Sequence, residues 1–353
     1  MLECSVCGRT YIDRWRCECG GPLDFAEQPL PSGEPDIDPR EGLWAFAEFI
    51  PVKRSVSLGE GFTPLVDAPG WDAAFKLEYV FPTGSFKDRG ATTLLSYAKE
   101  LGVEHVLEDS SGNAGAAIAT YAARAGIEAT IYVPAGVKES KVKAIRRAGA
   151  EIERVAGPRE AVTEACTTAV WEGRGWYASH AWNPAFFAGT ATMAYEIAAQ
   201  RDWEVPDAVV CPLGHGTLFL GAYRGFRALL EAGWTDRMPR LLGAQAAGYA
   251  PIVEALHGPE AAAGENDVAD GIQIRAPARE EQILEAIEET DGDAIALDAQ
   301  AVATELDALH RAGFYTEPTS AVAPAALRAY RNDGDLSEDA DVVVPLTGSG
   351  LKS

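Results

Sequence analysis

The sequence predicts an α/β protein with mainly parallel sheets and a small cysteine-rich appendage at its N-terminus. Three observations predict it. From residue 75 onward, short apolar runs alternate with helical ones, the rhythm of strand, crossover and parallel strand. Three of the apolar runs end in turns of glycine with serine, threonine or asparagine, and two of these turns lead directly into a helix. Ligands of open α/β sheets bind at that end of the strands. Four of the six cysteines crowd the first 20 residues and stand apart from everything that follows.

Taken in order, Cys4-x-x-Cys7 and Cys17-x-Cys19 lie beside Gly8, Gly20 and Gly21, which permit tight knuckles. Residues 1–23 therefore read as a four-thiolate zinc ribbon, although the second pair is one residue shorter than the usual C-x-x-C. Disulfides are the alternative, which a reducing compartment disfavours. A segment this small cannot hold a core without metal, so its expected role is structural. Cys166 and Cys211, each alone, read as ordinary buried cysteines. Proline and acid dominate 24–40, a linker within a lead-in that runs to 56. Trp44, Phe46 and Phe49 are expected to pin residues 41–60 to the core. Strands are expected at 103–107, 129–133, 152–155, 208–211, 241–244, 294–297 and 342–344. Helices are expected at 91–101, 114–125, 138–148, 161–172, 218–230, 280–287 and 299–312. This catalytic domain spans 57–353, with a smaller lobe at about 90–190, and 257–267 reads as a mobile surface loop.

The 353 residues, 47% of them hydrophobic, support a sizeable core in two lobes. No apolar run approaches a membrane span and no secretory signal opens the chain, so a cytoplasmic protein without a membrane partner is expected. The net charge is −23, from 53 acidic and 30 basic residues, and acid is spread throughout. Such a surface repels nucleic acid. Only eight of the basic residues are lysines. That pattern suits high internal salt, where screening suppresses self-repulsion; an ordinary acidic cytosolic enzyme is the alternative.

Four segments carry chemistry. Pro82-Thr83-Gly84-Ser85-Phe86-Lys87-Asp88-Arg89-Gly90 sets one lysine between a glycine turn and a helix start. Lys87 is either a solvated charge or an amine able to attack a carbonyl, given a pKa lowered by burial. Ser110-Ser111-Gly112-Asn113 follows a strand and opens a helix, where an anion is favoured; helix capping is the plain alternative. In Pro212-Leu213-Gly214-His215-Gly216-Thr217, two glycines let the backbone wrap a phosphate and Thr217 adds a hydroxyl. Leu346-Thr347-Gly348-Ser349-Gly350 follows the last strand.

Together with GEGFTPL at 59–65, ADGI at 269–272, EPTSA at 317–321 and TGSGLK at 347–352, these segments resemble the fold-type II enzymes dependent on pyridoxal phosphate (PLP). Within them, the likeness is to the threonine synthase and serine/threonine dehydratase group, over about 57–353. The resemblance implies two α/β lobes of tryptophan synthase β-like fold with the cofactor between them, and a homodimer. It implies that Lys87 forms the Schiff base with PLP and moves the Cα proton. Gly214, His215, Gly216 and Thr217 would hold the phosphate, and Asn113 would donate to the phenolic oxygen. Ser110 and Ser111 would receive the substrate carboxylate. Thr347 would meet the pyridine nitrogen, with Ser349 as fallback; a hydroxyl there does not force a pyridinium, which suits elimination and replacement. Glu317 has either a part facing the cofactor or none.

The cysteine-rich start, PTGSFKDRG and TGSGLK are similar to threonine synthases, which convert O-phosphohomoserine and water to threonine and phosphate. That dianionic substrate calls for cations. The resemblance expects an arginine and a lysine where Phe186 and Ala191 stand, with Arg89, Lys138 or Lys141 as substitutes. Elimination of ammonia from threonine or serine needs no second phosphate site and is the alternative reaction. Replacement on another activated amino acid is a third, and a degenerate paralogue that binds PLP without turnover is the non-enzymatic reading.

Overall fold

The computed structural model describes residues 1–33 and 36–352; Glu34 and Pro35, inside the expected linker, and Ser353 lie outside the described residues. The chain forms two compact units, one of Met1–Gly61 with Lys87–Thr190 and one of Phe62–Phe86 with Ala191–Lys352. The cysteine-rich start and the lead-in thus belong to the same unit as 87–190.

In the first unit a parallel sheet runs in the order Glu151–Val155, Glu128–Pro134, His105–Glu108, Trp176–Tyr177. The first three strands are those expected from apolar runs. The fourth has two residues, too short for any periodicity to reveal. Helices Lys87–Glu100 and Asn113–Ala125 bury Leu94, Ile118 and Tyr121 against Ile131 and Val133 of the central strand. Each such side chain contributes about 1.5–3 kcal/mol by leaving water. Trp44, Phe46 and Phe49 of the lead-in are buried as expected. Lys87–Glu100 and Pro184–Thr190 pack at backbone distance: a Cβ on Gly189 would lie 1.9 Å from the Arg89 carbonyl oxygen.

The appendage is a three-stranded antiparallel sheet, Leu2–Cys4 between Thr10–Tyr11 and Leu23–Phe25, so it ends slightly beyond the expected residue 23. Trp15 docks it, with ring centroids 5.1 Å from Tyr177, 5.6 Å from Trp182 and 5.7 Å from Trp171. The Trp176 indole donates to Asp13 and the Tyr97 hydroxyl donates to the Ile12 carbonyl.

The second unit is a six-stranded sheet in the order Asp293–Leu297, Arg240–Ala246, Ala208–Pro212, Val342–Pro345, Ala73–Lys76, Leu65–Ala68. Its pairs are parallel except the last, where Leu65–Ala68 runs antiparallel to Ala73–Lys76. Ala208–Pro212 is buried at every residue, which is why it reads as an unbroken apolar run rather than an alternating one. Helix Val322–Asn332 escapes the sequence reading because Pro324 interrupts the pattern; a proline in the first turn removes no helical hydrogen bond. Lys76 is fully buried and donates to the Thr63 carbonyl, Glu196 and Gln200 at 2.7–2.8 Å, which compensates its charge. The stretch 257–267, expected as a mobile surface loop, is exposed at most of its residues and also holds the short helix Pro259–Ala262 and the buried Asn266. That side chain donates to the Leu297 carbonyl and accepts from the Val268 and Ala269 amides, which fastens the stretch to the end of a strand.

Candidate active site

In the second unit, the strand Ala208–Pro212 leads through Leu213, Gly214, His215 and Gly216 into the 15-residue helix Thr217–Glu231. Gly216 caps the helix at φ +76, a conformation that favours glycine, and a Cβ there would lie 2.5 Å from Ile283. A Cβ on Gly214 would meet Ile272 at 3.2 Å. The first amides of this helix have no intrahelical acceptors, so the bare backbone at 214–216 beside the Thr217 hydroxyl could hold an anion where side chains would otherwise intrude. Thr347 follows Val342–Pro345 and is buried, its hydroxyl 3.1 Å from that of Ser320. Ser320 also accepts from the Gly348 amide at 2.8 Å, which fixes the hydroxyl pair on a taut turn. Glu317 packs its carboxylate against Gly348, so closely that a Cβ there would lie 2.3 Å from it. The fully buried Ser85 hydroxyl has no hydrogen-bond partner among the described residues. A glycine-rich helix start, a neutral hydroxyl pair and a buried hydroxyl without a partner among the described residues would fit a phosphorylated pyridine cofactor. Ser320, Ser85 and the packing of Glu317 were not distinguished by sequence: all lie in recognisable motifs, but spacing says nothing of which hydroxyl faces which.

In the first unit, Lys87 opens helix Lys87–Glu100 as expected and is half-buried, its Nζ 5.9 Å from the centre of the Phe186 ring. Asp88 and Arg89 beside it are fully buried, and the Tyr121 hydroxyl donates to Glu60 at 3.1 Å. The Ser110–Asn113 loop leaves the carboxyl end of His105–Glu108. Ser110 Oγ accepts from the Gly112 amide at 3.3 Å, and Asn113 is the first residue of its helix. Among the described residues no side chain caps that helix, so capping does not account for the serines. Phe186 is fully buried on Gly90, where a Cβ would meet its ring at 2.3 Å. Of the substitute cations, Arg89 is buried, whereas Lys138 and Lys141 are exposed.

A buried pair was missed altogether. Glu108 Oε1 lies 2.6 Å from His180 Nδ1, with Glu108 wholly inaccessible and His180 7% exposed. Burial, and then the neighbouring Asp109, push the Glu108 carboxyl well above the usual carboxylate range, against the pull of Lys87. Asp109 itself accepts from Thr163 at 2.5 Å and Tyr177 at 2.9 Å.

The four N-terminal thiols form a separate cluster, every sulfur within 4.8 Å of the others. Cys4 pairs with Cys19 and Cys7 with Cys17 at 3.5 Å, and none is in a disulfide. Zinc–sulfur bonds of about 2.3 Å in a tetrahedron put sulfurs about 3.8 Å apart, so the set fits that ion. Burial disfavours the Cys17 thiolate, but hydrogen bonds with the Tyr11 hydroxyl and the neighbouring cysteines outweigh it and bring the thiol down to about 6. Cys19 is pushed up to about 12: the Gly21 amide works to lower it and the adjacent thiols overcome that. Cys166 and Cys211, expected as plain buried cysteines, are wholly inaccessible, and burial raises both thiols.

Residues 56–348 match the family described as pyridoxal-phosphate dependent enzyme. The chain is 33% identical to the threonine synthase of Methanocaldococcus jannaschii, over all of this chain and 93% of that one. It is 34% identical to the threonine synthase of Methanosarcina acetivorans, over 99% and 92%. Among solved structures, the T.th. threonine deaminase superposes with a TM-score of 0.68 at 25% identity, covering 82% of this chain and 92% of that one. Maize serine racemase superposes at 0.71 with 21% identity, over 82% and 88%, a likeness of fold alone.

Proposed function

The chain belongs to the pyridoxal-phosphate dependent enzymes, and from that premise we propose that it is a lyase of threonine synthase type, converting O-phosphohomoserine and water to threonine and phosphate. The observation that carries this reading is the likeness to threonine synthase through the entire chain, cysteine-rich start included. PLP supplies an electron sink for the charge released at Cα. Lys87 anchors it and carries the Cα proton. The backbone at 214–216 and Thr217 hold the phosphate, and Asn113 donates to the phenolic oxygen. Thr347, steadied by Ser320, offers the ring nitrogen a hydroxyl. Ser110 and Ser111 take the substrate carboxylate. Cys4, Cys7, Cys17 and Cys19 hold a structural zinc ion. The reading includes a homodimer at work in the cytoplasm, the first part of which sizing chromatography checks.

One observation favours a second reaction. The buried phenyl ring of Phe186 stands beside Lys87 where the resemblance expects an arginine, and Ala191 replaces the lysine. An apolar wall there suits loss of ammonia from threonine or serine. The two separate cleanly: the PLP-loaded protein in high salt is given O-phosphohomoserine and assayed for phosphate and threonine. In parallel it is given threonine or serine and assayed for 2-oxo acid and ammonia. Phosphate with threonine supports the synthase; oxo acid alone replaces it with the ammonia-lyase; silence in both defeats both readings.

A further inference from the structure

We propose that His180 is a catalytic acid for the departing oxygen of the substrate side chain, with Glu108 as its positioning residue. The inference rests on the elimination chemistry proposed above, whichever of the two amino-acid substrates applies. Its ground is the first unit alone. His105–Glu108 and Trp176–Tyr177 are neighbouring parallel strands, with Leu107 paired to Tyr177. Glu108 is the last residue of one strand and His180 lies three residues past the other. Both therefore stand at the carboxyl edge of the sheet, the edge from which the Ser110–Asn113 loop departs and where ligands of such sheets bind. Phe186 joins the pair to the lysine, its ring centre 6.1 Å from that of His180 and 5.9 Å from Lys87 Nζ.

The proton that burial retains on the pair is shared across the 2.6 Å between Glu108 Oε1 and His180 Nδ1. When it sits on nitrogen the ring is an imidazolium that gives Nδ1–H to the Glu108 carboxylate, which fixes the ring and makes Nε2 the atom that exchanges protons. The pair supplies a polar group that Phe186 and Ala191 do not. In the step, the Lys87 amine takes the Cα proton. The carbon–oxygen bond of the side chain breaks with its electron pair going to oxygen, and the Nε2 proton of the imidazolium passes to that oxygen. A new carbon–carbon double bond remains in the substrate, and His180 ends neutral with its Nδ1–H still given to Glu108. From a hydroxy-amino acid, whose oxygen sits on Cβ, the oxygen departs as water. In O-phosphohomoserine it sits on Cγ, so the Lys87 amine, having passed on the Cα proton, would also have to take a Cβ proton before the double bond forms and the oxygen departs as protonated phosphate.

The test separates proton removal from departure of the oxygen. Wild type, His180→Gln and Glu108→Gln, all PLP-loaded, are incubated in D2O with L-threonine, L-serine or O-phosphohomoserine. Cα–H exchange is followed by NMR alongside product. Visible absorption during PLP titration of the apoproteins, with circular dichroism, reports cofactor binding and folding. With the amino acid that wild type turns over, His180→Gln is expected to keep Cα–H exchange and PLP affinity while product falls about 10²–10⁴-fold. Glu108→Gln, which keeps the imidazole, is expected to lose about 10–100-fold of product, also with exchange intact. Exchange and product falling together, or neither falling, overturns the proposal for His180 and leaves the parent reading standing. If His180→Gln does not fold or load PLP, Glu108→Gln decides by the same split. Wild type inert toward all three amino acids defeats the parent reading and this inference with it.

Discussion

The cysteine-rich start and the α/β units stay folded by opposite means. The start gathers Leu2, Cys4, Cys17 and Leu23 in one small buried cluster, and the metal proposed for its four sulfurs would be what closes it. The α/β units are closed by continuous cores in which strands such as Ala208–Pro212 show no face to water. With that metal the start would depend on four sulfur atoms, whereas a segment held by a large core depends on no single residue. Chemistry in the large units can therefore be removed without unfolding them, whereas the start should be lost all at once.

The sharpest break in that comparison is Lys87→Ala. The side chain is half-buried at a helix start and no core depends on it, so the melting temperature of the apoprotein should move by less than about 2–3 °C, a change of 1 kcal/mol or less. Turnover should fall by more than about 10³-fold, because anchoring and proton transfer are lost together. A collapse of the fold measured by circular dichroism would contradict the division between chemistry and core.

Gly216→Val tests the case where chemistry and core coincide. The residue needs φ +76 and has Ile283 where a side chain would go. A β-branched residue should cost about 1–2 kcal/mol from the backbone alone, with more from the contact. PLP affinity, read by absorption titration, should fall at least tenfold. Unchanged affinity would remove 214–217 from the phosphate site.

Chelation acts on the other side of the comparison. Stripping metal from the four thiols should unfold residues 1–25 and release Trp15 from Trp171, Tyr177 and Trp182, seen as a change in tryptophan fluorescence. Far-UV circular dichroism of the α/β units should stay nearly intact, and activity should fall less than tenfold. A global collapse on chelation would mean that the start holds up the rest of its unit.

The same contrast explains what could be read from sequence. Strands and helices of the large units were legible because burial on both faces or on one imposes a run or a period. The thiol cluster was legible because ligand spacing is itself the signal. Trp176–Tyr177 and Val322–Asn332 were not, the first for lack of length and the second because Pro324 mimics a boundary. Lys87, Thr347 and the two glycine loops announced themselves as motifs. Glu108–His180 did not, since the two residues are 72 apart and meet only because their strands are neighbours in the sheet. In 257–267, glycine, proline and acid made the exposed surface legible, but not the four-residue helix Pro259–Ala262 or the buried Asn266, whose partners are set by the fold.

Charge divides the two regions as well, and here the expected effect is smallest. Residues 1–25 carry four acidic and three basic side chains, so nearly all of the net −23 resides in the large units. Like charges on a compact body repel, and that repulsion is screened once the Debye length falls from about 10 Å at 0.1 M salt to about 3 Å at 1 M. The exposed ion pairs screened at the same time, such as Arg227 with Glu231, contribute about 0–1 kcal/mol each and do not reverse the balance. Raising potassium chloride from 0.1 to 1 M should therefore increase the melting temperature of the α/β units by several degrees. The chelator concentration that releases Trp15 should hardly move, because the start has little charge to screen. If the melting temperature is indifferent to molar salt, the acidic surface is not an adaptation to it, and the contrast between the two regions reduces to sulfur against core.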